Sequence, residues 1–141
     1  MKRIFIYCFA MFLALGLVTS CGGKKEAAKG GAGELAKELT VVLKSATDGL
    51  EKAETGNDVV AVINKLVDDE AAVVANYTEE AKSDFEMMAE DEFNEAHPNE
   101  GPAYFEAHSN FVNKLYDVEN LIEDEAERQQ MWEKRHTAKV I

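Results

Sequence analysis

The chain has 141 residues, enough for one folded domain once any targeting segment is set aside. Apolar residues make up 46% and charged residues 30%, which argues against both a disordered tail and a polytopic membrane protein. With 15 Lys+Arg against 27 Asp+Glu, the net charge of -12 disfavours nucleic acid as a partner, because phosphate binding needs a basic face.

Lys2-Arg3 is a short basic start, and no charge follows from Ile4 to Val18. That run is shorter than the ~20 residues of a membrane-spanning helix, but it fits the apolar core of a secretory signal. It ends in Val18-Thr19-Ser20-Cys21 and Gly22-Gly23. This resembles the lipobox of bacterial lipoprotein signal peptides: an aliphatic residue, two small residues and an obligatory cysteine. The resemblance implies that residues 1–20 are a signal peptide and that Cys21 is the lipidation site. Cys21 would carry a diacylglycerol thioether and an acylated amino group, anchoring the chain to the membrane. Gly22 stands where an Asp commonly marks inner-membrane retention in such proteins, so the outer membrane is the expected location. Cys8 lies in the discarded segment and Cys21 is taken by lipid. The mature chain is then expected to have no disulfide, no Cys-based metal site and no catalytic cysteine. Gly22 to Gly33, made largely of Gly, Ala and Lys, reads as a flexible tether reaching at most ~40 Å. Residues 21–33 are thus expected to be anchor and linker, and 34–141 a helical bundle with a polar C-terminal extension.

Only two prolines occur, Pro98 and Pro102, and the mature sequence favours helix throughout. The first helix is expected from about Gly33 to Thr55, with Leu35, Leu39, Val42, Leu43, Ala46, Leu50 and Ala53 on one face. Gly56 would terminate it, and Asn57 or Asp58 would cap the second helix. Val59, Ile63, Leu66, Val67, Val74 and Tyr77 form that helix's inner side. Thr78 then caps a third, carrying Ala81, Phe85, Met88, Ala89, Phe93 and Ala96 and ending near His97 because Pro98 follows. The last helix is expected from Pro102 to about Thr137, with a seam of Tyr104, His108, Phe111, Leu115, Val118 and Ile122. Beyond Ile122 the seam turns polar, so the final dozen residues read as an exposed extension. The expected fold is all-α, an up-down four-helix bundle. Fusion of the second and third helices would give instead a three-helix arrangement with a long antiparallel hairpin, covered by forming a homodimer.

Leu50-Glu51-Lys52-Ala53, Asn57, Val60 and Ile63-Asn64-Lys65-Leu66 resemble the first turn region of cytochrome b562-type bundles and of small helical lipoproteins. Those cytochromes hold haem with a methionine on the first helix and a histidine on the last. Here the first helix has no methionine, although His136 sits near the C-terminus. The resemblance therefore implies a fold and no haem, and no cofactor is expected.

His108, beside Tyr104, Phe105 and Phe111, is the histidine expected to face inward. Folding about Asn99 brings it level with Glu92, in an interhelix hydrogen bond or ion pair that fixes register. With a second carboxylate such as Glu95, the pair His108 and Glu92 would be a speculative metal site for Zn²⁺ or Cu²⁺. Glu133-x-x-His136 is half of a di-iron pattern that needs a second copy, and only one occurs. No Ser or Thr has a histidine in a telling motif, and His108 and Ser109 point about 100° apart on a helix. No enzyme is therefore expected. The reading is a lipid-anchored, non-enzymatic interaction module of the bacterial envelope. It would bind an envelope protein partner through its acidic surface or through a helix bearing Met87, Met88, Phe85 and Phe93. The alternative is a metal- or cofactor-binding bundle.

Overall fold

The computed structural model describes residues 29–137. The expected signal peptide 1–20, Cys21 and most of the tether lie outside the described residues. The chain is all-α: α1 (Ala32–Glu51), α2 (Gly56–Val74), α3 (Glu79–Met87), α4 (Glu90–Ala96), α5 (Glu100–Val118), a 3₁₀ turn (Glu119–Leu121) and α6 (Glu125–Thr137). α1 is the central helix. It packs on α2, α3 and most extensively on α5, while α4 lies on α5 and α6 on α2.

The apolar stripe of α1 dictates this arrangement. Leu35, Leu39, Leu43 and Leu50 recur at helical spacing and are all buried, whereas Val41, off the stripe, is 65% exposed. Ile63 and Leu66 on α2 and Phe111 and Leu115 on α5 meet them in one contiguous core. Each such side chain contributes about 1.5–3 kcal/mol by leaving water.

The α1–α2 junction differs from expectation. α1 stops at Glu51, and Thr55 rather than Asn57 or Asp58 caps α2. The Thr55 hydroxyl accepts from Asp58 N–H at 3.3 Å, and Asp58 Oδ2 accepts from Thr55 N–H at 2.9 Å. This reciprocal box satisfies N–H groups that a helix start leaves unpaired. The Thr55 hydroxyl, then the Glu54 and Thr55 backbone N–H groups, hold the Asp58 carboxyl below its usual range.

Gly56 is the first residue of α2 rather than a helix stop. It is needed for close approach: a Cβ there would lie 2.8 Å from Leu121 O and 2.9 Å from Ile122 Cα. Both neighbours are backbone, which cannot swing aside. Gly56→Ala should therefore destabilise by about 1–3 kcal/mol, the cost of overpacking, even though alanine is the better helix former. Urea denaturation checks this, and an equally stable or more stable variant would contradict the contact.

Two further breaks are absent from the sequence expectation. The third helix is interrupted at Met88 and Ala89, both extended (ψ 136° and 154°). At 9 and 7 residues, α3 and α4 are too short to persist alone and are held by packing. The break lets α3 lie on α1 and α4 on α5. Phe85 and Phe93 still meet edge to face across it, with centroids 5.1 Å apart.

The expected long last helix also bends. After Val118 the chain tightens into the 3₁₀ turn, Ile122 becomes extended (φ -83°, ψ 100°), and α6 folds back onto α2. Asp124 Oδ1 accepts from Glu127 N–H at 2.9 Å, capping α6. Arg128 donates through Nε and Nη2 to Ile122 O at 3.2 and 3.0 Å. Trp132 Nε1 donates to Glu119 Oε2 at 2.6 Å. The C-terminal segment is thus a docked helix with Met131 and Arg135 buried, where an exposed extension was expected.

Candidate functional site

His108 is half-buried on α5, its ring stacked on Tyr104 at 6.2 Å, while Glu92 and Glu95 are exposed on α4. Among the described residues, no group of three or more His, Cys, Asp or Glu side chains is arranged to hold a metal ion. His136 is exposed on α6, 5.9 Å from the Trp132 ring, and Glu133, three residues earlier, is exposed too. Cys21 lies outside the described residues.

The stretch from α3 through α4 is different in kind. Glu79, Glu80, Asp84, Glu86, Glu90, Asp91, Glu92 and Glu95 are all exposed. Lys82 is the one cation of residues 79–96, and it pairs with Glu79 at 2.7 Å. Met87, 64% exposed, stands among these carboxylates at the end of α3. Met88 is half-buried and packs against the core, so the two methionines do face different surroundings. Partial desolvation of its carboxyl, reinforced by the Glu79 charge, pushes Glu86 above its usual range despite Lys82 nearby. The acids favour the first turns of α3 and α4 through the helix dipole. They also concentrate negative potential around one large apolar side chain.

Beneath this stretch, Phe85, Phe93, Tyr104 and Phe105 pack edge to face, which makes the platform rigid. His97 closes the far end on Phe93, ring centroids 4.6 Å apart. It also abuts Gly33, where a Cβ would lie 2.6 Å from His97 Nδ1. The start of α1 and the α4–α5 corner are thereby fixed together.

A buried polar cluster stands apart from the sequence expectations. Arg135 on α6 donates from Nη1 to Glu70 Oε2 on α2 at 3.0 Å, and both side chains are at most 10% exposed. The guanidinium also lies 5.4 Å from the centroid of the Phe111 ring. Burial raises the Glu70 carboxyl above its usual range, and Arg135 partly offsets this. The Tyr104 phenol is raised as well, by burial and then by the Glu70 charge. One sequence signal could have found Glu70: it continues the α2 inner stripe of Val59, Ile63 and Leu66 at helical spacing. A glutamate on an apolar face needs a cation, and Arg135 answers it from 65 residues away.

The described chain begins with a docked residue. Lys29 N–H donates to Asn76 O at 2.8 Å and Lys29 O accepts from Thr78 N–H at 2.9 Å, one parallel bridge against the α2–α3 corner. Lys29 also pairs with Glu38 and lies 5.7 Å from the Tyr77 ring centroid. Burial, with the charges of Glu38 and Glu34, pushes the Tyr77 phenol well up. The end of the expected linker is therefore docked.

Among the described residues, no helix is long and apolar enough to cross a membrane. Comparison of the chain with protein-family models, characterised proteins and solved structures finds no match. The fold and surface together define a small acidic helical bundle.

Proposed function

We propose that the chain is a lipid-anchored, non-enzymatic interaction module of the bacterial cell envelope. The anchor rests on Val18-Thr19-Ser20-Cys21, and the binding role rests on exposed Met87 set among the carboxylates of α3 and α4. Such a surface suits a basic, partly apolar segment of an envelope protein. Lysine or arginine would meet the acids, and an aliphatic or aromatic side chain would meet the adaptable thioether. Several buried acyl chains at ~0.8 kcal/mol per CH₂ would hold the bundle at the membrane. Outer-membrane placement follows from Gly22 after the cysteine.

Two measurements test the two halves. Cys21→Ser should abolish acylation and move the chain out of the membrane fraction, or leave it uncut. A variant that stays fully acylated at the membrane would refute the anchor. For binding, partners cross-linked to the anchored chain should be lost above about 0.5 M salt, because exposed charges are then screened. Met87→Glu should weaken the same associations. Partners retained unchanged at high salt and with Met87→Glu would contradict the proposed surface.

A further inference from the structure

The docking of α6 rests on few groups, and those on α2 are indifferent to which chain supplies the helix. Arg135 meets Glu70, Lys134 Nζ donates to Asn64 Oδ1, and Met131 is buried nearby. A shallow groove of about 190 Å³ between α2 and α6 is lined in part by Val60, Ile63 and Met131. The connection to α5, in contrast, is short and free of helix-breaking residues. From Ala103 to Thr137 there is neither glycine nor proline. Val118 and Glu119 remain in the right-handed helical region, and the chain becomes extended only at Ile122. No glycine or proline forbids a continuous helix here, and the bend is held by the Asp124 cap, the Arg128 and Trp132 bonds and the burial of Ile122 and Met131.

Straightening this hinge would carry α6 away from its own bundle. At 1.5 Å per residue, Arg135 would stand about 25 Å beyond Val118, out of reach of its own Glu70. The docking face of α6, Met131 and Arg135, is one residue out of phase with the seam of Phe111, Leu115, Val118 and Ile122. On a continuous helix at 100° per residue it would therefore point about 150° away from the parent core.

We infer that α6 is an exchangeable element: the hinge at Ile122–Asp124 opens, α5 and α6 join into one helix, and α6 of one chain docks on α2 of a second copy. Glu70 then pairs with Arg135 supplied in trans, and each bundle remains complete. Exchange of an identical element keeps the original contacts and adds a helical linker, which makes it an inexpensive route to a dimer. The acidic chains repel, so salt should favour this dimer, the reverse of its effect on a basic partner.

Adjacent hinge residues give opposite tests. Proline at position 123 suits the bent form, since Ile122 before it is already extended, but it cannot sit inside a continuous helix. Asp124→Ala removes the cap that only the bent form uses. Full-length chains carrying Asn64→Cys and differently tagged chains carrying Lys134→Cys would be co-expressed and treated in detergent with a short bis-maleimide. Chains without the added cysteines set the background, and one chain carrying both shows that the two positions are within reach. The expected result is a mixed-tag dimer, increased about fivefold by Asp124→Ala, as loss of an ordinary cap implies, and abolished by Glu123→Pro. A link within the double-cysteine chain but none between chains would overturn the proposal. So would a mixed dimer that Glu123→Pro leaves undiminished, since the chains would then be adjacent without exchange.

Discussion

Arg135→Met is expected to cost about 3–5 kcal/mol of folding stability near neutral pH, because it strands the buried Glu70 carboxylate without a counter-charge. The loss should be pH-dependent, with a definite sign. Burial raises the folded-state value of Glu70, so between the unfolded and folded values the native state binds the extra proton. Stability contributed by this group therefore falls as pH rises through that window. Removing Arg135 removes an influence that lowers the value, so the window extends upward. The variant's deficit should therefore shrink as the pH falls through that window. Glu70→Leu combined with Arg135→Met should recover most of the loss, because a buried ion pair gains little over well-packed apolar groups. Denaturation of the parent chain and the two variants, at neutral and at mildly acidic pH, checks this. An equal loss at both, with no recovery in the double variant, would show that the pair does not hold α6.

Phe111→Ala should be comparably damaging, at about 3–5 kcal/mol. Phe111 is fully buried on α5, part of the core that α1 and α5 share, and its ring also faces the Arg135 guanidinium at 5.4 Å. Truncation leaves a cavity that helices on several sides must collapse to fill. Val41→Ala, at a 65% exposed position of α1, should change stability by no more than about 0.5 kcal/mol. Urea midpoints with an unchanged slope separate the two cases. Similar midpoints for both variants would contradict the assigned core.

Much of this bundle was legible before any coordinates. The α1 stripe and the Thr78 cap depend on local spacing and local hydrogen bonds, which a sequence displays directly. The breaks at Met88–Ala89 and Ile122–Asp124 were not read, because neither contains glycine or proline and both serve packing between distant segments. Signals did exist. Asp124-x-x-Glu127 is a capping pattern, and Glu90-Asp91-Glu92 is the acidic first turn of a new helix. Both were hidden in a chain where acids are common everywhere. The Glu70–Arg135 pair was missed for another reason: the place of Glu70 on the α2 stripe calls for a cation, but only the return of α6 onto α2 identifies Arg135 as that cation. His108 was read as inward-facing; the structure leaves it half-buried on Tyr104, one position from the fully inward Ala107.

These features bear on the proposed role through position. Lys29 docks on the α2–α3 corner, so the described chain enters the bundle where the acidic run of α3 and α4 begins. On the proposed reading, a lipid anchor at Cys21 would hold the bundle by this corner, at the start of the acidic run that leads to Met87.

Native mass spectrometry of the full-length chain's mature product, purified from the envelope of the cells that make it, tests the central claim most directly. The account predicts a chain beginning at Cys21, heavier by a diacylglyceryl group and a further acyl chain, with no stoichiometric ion or haem. A chain retaining residues 1–20 without lipid would contradict the anchor, and a bound ion or cofactor at one per chain would contradict the interaction module.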